Sequence, residues 1–137
     1  MKTLISVFIV SGIAAAAPCP TAVTAAVAKR FPKSAIGTCK PEQDRFEVKL
    51  TKAEGGKAEV EVSAAGDILQ IEEAVPVDQV PAIVMKAFAA KYPKAKADRA
   101  EKQTPAKGLA SYELAFSDAG KRKEATFDGQ GKFVEEE

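Results

Sequence analysis

The chain repeats itself, and the repeat limits its folds more than any other feature. Val23, Val27, Phe31, Pro32 and Lys33 reappear as Val84, Phe88, Tyr92, Pro93 and Lys94, each 61 positions later, and Pro20 reappears as Pro81. Further on, Phe46-Glu47-Val48-Lys49-Leu50 matches Tyr112-Glu113-Leu114-Ala115-Phe116 at an offset of 66. Glu59 to Gly66 then matches Glu124 to Gly131 at an offset of 65. The offset changes only where turns are expected, as insertions in loops would produce. A long internal period means that one supersecondary unit is built twice.

Each copy reads as a helix followed by short strands. Val23, Ala26, Val27 and Phe31 recur at helical spacing, as do Val84, Ala87, Phe88 and Tyr92. Pro32 and Pro93 stop these helices, because the residue before a proline avoids the α region. Phe46, Val48 and Leu50 alternate with Arg45, Glu47 and Lys49, the pattern of a half-buried strand. After a turn at Gly55-Gly56, Ala58, Val60 and Val62 alternate with Glu59 and Glu61, and a second turn at Ala64 to Asp67 leads into Ile68 to Ile71. Copy two repeats the scheme with Tyr112/Leu114/Phe116, Ala125/Phe127 and Phe133-Val134. Ala35 to Lys40 and Lys96 to Lys102 carry a weaker strand pattern at the start of each meander, and Glu73 to Gln79 reads as the link between copies. The expectation is an α+β fold: a tandem repeat of a helix followed by an antiparallel β-meander, with the helices packed on one face of the sheet. The domains expected are a signal peptide over 1–16, a first repeat over 17–76 and a second over 77–137.

The leader has a positive start at Lys2, an apolar run from Thr3 to Ile13 and small residues from Ala14 to Ala17. This is a secretory pattern, with cleavage expected after Ala16. The apolar run is shorter than the roughly 20 residues a membrane-spanning helix needs. Export places the chain, periplasmic or secreted, where thiols oxidise. Cys19 and Cys39 flank a helix and a returning strand, so they can meet at one end of that corner. A disulfide is therefore expected, in the copy whose core is poorer in aromatics.

Composition removes whole classes of chemistry. The chain has no His, so it lacks the usual general base and the commonest transition-metal ligand. Its serines lie in turn or strand-edge contexts, without a nucleophile elbow or Ser-x-x-Lys pattern. No catalytic residue, cofactor or metal ligand is assigned. Asp128-Gly129-Gln130-Gly131 and Glu135 to Glu137 offer oxygen ligands, but neither has EF-hand spacing; a small-ligand or calcium-binding periplasmic protein stands as the alternative function. Lys+Arg is 20 against 19 Asp+Glu. The lysines of Lys91 to Lys102 and Lys121 to Lys123 sit in this balanced chain without interleaved aromatics, so nucleic acid is not an expected partner.

Several stretches resemble a known family. They are Val80-Pro81, Lys91-Tyr92-Pro93-Lys94-Ala95, Tyr112-Glu113-Leu114 and Ala125 through Phe133 with its Phe127-Asp128-Gly129-Gln130-Gly131-Lys132 turn. The text is similar to the PepSY-like, β-lactamase-inhibitor-like family of exported bacterial proteins, well over Val80 to Glu137 and more loosely over Pro20 to Glu73. The resemblance implies tandem helix-plus-sheet units, periplasmic or secreted placement and non-enzymatic binding. The family name points to inhibition of a hydrolase. No binding residue carries over from it.

If one sheet face is covered by helices, the other is free for a partner. In copy one that face carries Arg45, Glu47, Lys49, Glu59 and Glu61, and in copy two Glu113, Glu124 and Thr126. A broad face of mixed charge recognises another protein by complementarity. A protein partner is therefore expected, with no stable membrane insertion after leader cleavage.

Overall fold

The computed structural model describes residues 18–137, so the leader expected over 1–16 lies outside them. Helix α1 (Thr21–Arg30) is followed by strands β1 (Ala35–Glu42), β2 (Arg45–Thr51), β3 (Lys57–Ser63) and β4 (Ile68–Val75). After a 3-10 turn at Val77–Gln79 comes α2 (Ala82–Lys91), then β5 (Ala97–Pro105), β6 (Ser111–Asp118), β7 (Lys121–Asp128) and β8 (Phe133–Glu136).

The two helices start and stop by the same chemistry. Pro20 and Pro81 precede them with φ of −58° and −53°, and their carbonyls accept from the backbone N–H groups of Val23 and Thr24, and of Val84 and Met85. A proline costs nothing there, because its missing N–H would have no partner in the first turn. Phe31 and Tyr92 end the helices, each at φ −125° before a proline.

All eight strands form one antiparallel sheet in chain order, β1 to β8. The pairing of β4 with β5 makes the sheet continuous: Glu73 faces Lys102, Ala74 faces Glu101 and Val75 faces Ala100. Two expectations change here. Glu73 to Val75, read as link, belong to β4, and β5 extends to Pro105. Gln103-Thr104-Pro105 lacks an apolar residue and Glu73-Ala74-Val75 is too short to show alternation, and it is their long-range pairing that makes them strands.

The apolar residues fall into two clusters. One joins Val23, Val27 and Phe31 to Val48, Leu50, Val60, Val62 and Ile71. The other joins Val84, Phe88 and Tyr92 to Leu114, Phe116, Ala125 and Phe127. Phe88 meets Phe116 edge-on, with centroids 5.0 Å apart, a favoured aromatic geometry. Fully burying a Val or Phe side chain contributes about 1.5–3 kcal/mol. One register row runs Leu50, Ala58, Glu73, Lys102, Tyr112, Phe127 across six strands. Its ends are apolar and its middle is ionic, where Lys52 Nζ donates to Glu73 Oε1 at 3.2 Å.

The aromatic-poor first cluster has the staple. Cys19 and Cys39 are disulfide-bonded, with Cα atoms 5.7 Å apart, and both pack against that cluster. The bond ties the chain before α1 to the edge strand β1.

Candidate functional site

Side chains alternate across a strand, so the residues between the core positions share the other face. Register aligns them in rows. One runs Thr38, Lys49, Glu59, Glu72, Gln103, Ser111, Asp128. A second runs Lys40, Glu47, Glu61, Gln70, and a third Glu101, Glu113, Thr126, Glu135. Arg99, Ala115 and Glu124 follow in a fourth.

These rows bring together most of the residues expected from sequence. Arg45 Nη1 donates to Glu61 Oε2 at 2.7 Å. Lys49 Nζ lies 3.2 Å from Glu59 and 3.4 Å from Glu47. Arg99 Nη2 bonds Glu124 at 2.5 Å. Thr126 differs from the expectation. It stands in the outer row but is buried, 5% exposed, between Glu113 and Glu135. Longer neighbours cover it, so it offers a partner little surface.

Sequence reading missed the centre of the face. Gln70 and Glu72 on β4, and Arg99, Glu101 and Gln103 on β5, occupy it. Their period-two alternation with Ile71 and Ala100 was the available signal, masked by reading the end of β4 as a link.

Beside these ion pairs, the face sets like charges against each other at three places. Glu47 stands directly opposite Glu61, Glu59 opposite Glu72, and Glu101 opposite Glu113. Like charges directly opposed across strands destabilise a sheet. Glu72 and Glu113 make no ion pair among the described residues. Glu72 accepts from Gln70 Nε2 at 2.7 Å, and Glu113 from Gln103 Nε2 at 3.5 Å. Burial, then the carboxylates of Glu124, Glu101 and Glu72, push the Glu113 carboxyl up to about 7. Burial also raises Glu59, against the opposing pull of Lys49.

The oxygen-rich segments are engaged elsewhere. Asp128 Oδ1 accepts from the backbone N–H groups of Gln130 and Lys132 at 2.9 Å each, closing the β7–β8 turn. Glu136 accepts from the Tyr92 hydroxyl and from Lys123 Nζ. Among the described residues no group of three or more acidic, Cys or His side chains is placed to surround a metal ion. The serines near the face bond Asp67 and Gln103 rather than a Lys: Ser63 Oγ reaches Asp67 at 3.2 Å and Ser111 Oγ reaches Gln103 at 3.1 Å. An open crevice of about 960 Å³ lies between the 3-10 turn, α2 and β5, lined by Val77, Asp78, Met85, Lys96 and Asp98. No described helix is long and apolar enough to cross a membrane.

Comparison with known proteins matches this architecture. A "putative periplasmic" protein from Bacteroides eggerthii is 16% identical, with a TM-score of 0.78 over 88% of this chain and 89% of that one. A DUF2874 family protein from Bacteroides uniformis is 17% identical, with a TM-score of 0.75 over 86% and 88%. A BLIP-like protein from Bacteroides fragilis is 19% identical, with a TM-score of 0.73 over 88% and 86%. At these identities the likeness concerns the fold. No curated protein matches the chain. The sequence profile of the family described as "Putative beta-lactamase-inhibitor-like, PepSY-like" matches residues 44–135. That span runs from β2 into β8, about two thirds of the sequence, and takes in the face described above except its β1 residues, so the chain belongs to the PepSY-like, beta-lactamase-inhibitor-like family.

Proposed function

We propose that the protein is an exported, non-catalytic binding module, periplasmic or secreted, that engages another protein through the polar face of its sheet. A hydrolase is one class of target, as the family description suggests. In this reading the chain is a tandem repeat, 17–76 and 77–137, with both helices on the opposite face. The register row that links Leu50 and Ala58 to Tyr112 and Phe127 supports that arrangement.

The observation that carries the reading is the set of three directly opposed Glu pairs. Folding alone favours opposite charges at such positions. Violations of local rules concentrate at functional sites, where a partner supplies the compensation. The hydrogen bonds of Ser63 to Asp67 and of Ser111 to Gln103 support a non-catalytic role for these two serines.

Carbodiimide labelling of carboxylates, read by mass spectrometry with and without a partner captured from the cell envelope or medium, tests the face. Protection of Glu59, Glu72, Glu101 and Glu113, with Glu54 and Asp78 unchanged, is the expected result. Protection confined to Glu54, Asp78 or the tail overturns the reading.

A further inference from the structure

Long side chains cover much of the outer face but not the middle of its seam. Ala74 on β4 is exposed and stands opposite Glu101, at the seam where β4 pairs with β5. Above it lies a depression of about 180 Å³ lined by Lys49, Lys57, Glu59, Glu72, Ala74 and Glu101. Metabolite and drug-sized pockets are about 300–1,000 Å³. This one has room for a side chain rather than for such a molecule.

Its two walls differ in charge. On the β2–β3 side Lys49 is paired with Glu47 and Glu59, and Lys57, which makes no ion pair among the described residues, donates from Nζ to Thr51 Oγ1 at 2.8 Å. On the β4–β5 side, among the described residues, Glu72 has only the amide of Gln70, and Glu101 only Arg99 Nε at 3.9 Å. Glu113, opposite Glu101, adds a third carboxylate without an ion pair among the described residues. An apolar floor beside Glu72 and Glu101, two carboxylates against the one lysine without an ion pair, suits a chain with a methylene stem and a cationic head.

We propose that the depression over Ala74 receives a Lys or Arg side chain from the partner, its stem over Ala74 and its head against Glu72 and Glu101. The choice of a protein-borne side chain rests on the binding-module reading above. The receptor itself is testable without any partner.

The probe is n-butylguanidinium, titrated into isotopically labelled protein and followed by two-dimensional amide NMR, with n-butylsulfonate as the anionic counterpart. Saturable shifts centred on Ala58, Glu59, Glu72, Ala74 and Glu101 are expected with the cation and not with the anion. Ala74→Phe fills an exposed position, so it leaves the fold intact and abolishes the shifts. Glu72→Gln with Glu101→Gln weakens the probe about fivefold or more. Equal response to both probes, or cation shifts that persist in folded Ala74→Phe, overturns the proposal. So does the absence of any saturable response. None of these results alters the carboxylate footprint, which judges the face as a whole.

Discussion

Gly66 lies so close under the first turn of α1 that a Cβ on it would stand 2.8 Å from the carbonyl oxygen of Ala22. Gly131 stands in the same relation to Ile83 at the start of α2, at 2.9 Å. Both glycines have positive φ, +94° and +84°. The turns before β4 and β8 are thus seats for α1 and α2. The two seats fall at positions matched by the sequence repeat.

Gly66→Ala and Gly131→Ala therefore combine a left-handed backbone with a backbone clash. The strain alone costs about 1–3 kcal/mol. Gly120 has φ +78° with nothing within 4 Å of its Cβ position, so Gly120→Ala isolates that strain. Urea unfolding should rank both helix-seat variants below Gly120→Ala. Equal losses for the three would mean that the helices do not rest on these turns.

Removing the staple should weaken α1, β1 and the cluster around Val23 and Val48 in particular. A loop of this size is worth about 3 kcal/mol in the chain-entropy account. Cys19→Ala with Cys39→Ala should lower stability by about that amount. Amide exchange should accelerate in α1 and β1 while the aromatic cluster around Phe88 and Phe116 stays protected. Uniform acceleration, or no loss of stability, would contradict this division.

Glu113 makes stability depend on pH. Its folded-state carboxyl is raised to about 7, so the folded protein holds a proton that the unfolded chain releases near 4.5. The strain of ionising it is absent below about pH 4.5 and builds as pH rises to about 7. Stability from this group therefore falls over that window. Glu113→Gln should be more stable than the parent at pH 8 by about 1 kcal/mol after allowance for solvent screening, and close to it at pH 4. Thermal unfolding at both values checks the sign. A variant that gains equally at both would rule out the carboxylate as the cause.

Much of this fold is legible in the residues because local signals agree with it. Pro20, Pro32, Pro81 and Pro93 bound both helices, and strict alternation marks β2, β3 and β6. The expected disulfide forms because α1 and β1 run back to one end. The ends of β4 and β5 were not legible, since Glu73 and Ala74, and Gln103 and Thr104, become strand only by pairing across the seam, Glu73 with Lys102, Ala74 with Glu101, Gln103 with Glu72 and Thr104 with Ile71. That gap hid the middle of the outer face. Glu47, Glu59 and Glu61 could be assigned to the face from alternation alone. The opposition of Glu59 to Glu72 needed the register, and Thr126 needed its neighbours in place before its burial could be seen. The Glu136 contact with Tyr92 spans 44 positions and has no sequence signal.

The most direct test of the binding face reverses two charges that the fold does not need. Glu72 and Glu113 lie opposite Glu59 and Glu101, so Glu72→Lys with Glu113→Lys converts two repelling cross-strand pairs into attracting ones. Folding stability should hold or rise, by about 0.5 kcal/mol per pair. Association with the captured partner should slow about tenfold at low salt, and its salt dependence should flatten or invert. The measurement is association kinetics at two salt concentrations on a variant shown by circular dichroism to be folded. Slowed association in a protein at least as stable as the parent is the predicted result, and an unchanged rate with unchanged salt dependence would contradict the assignment of the polar sheet face as the binding surface.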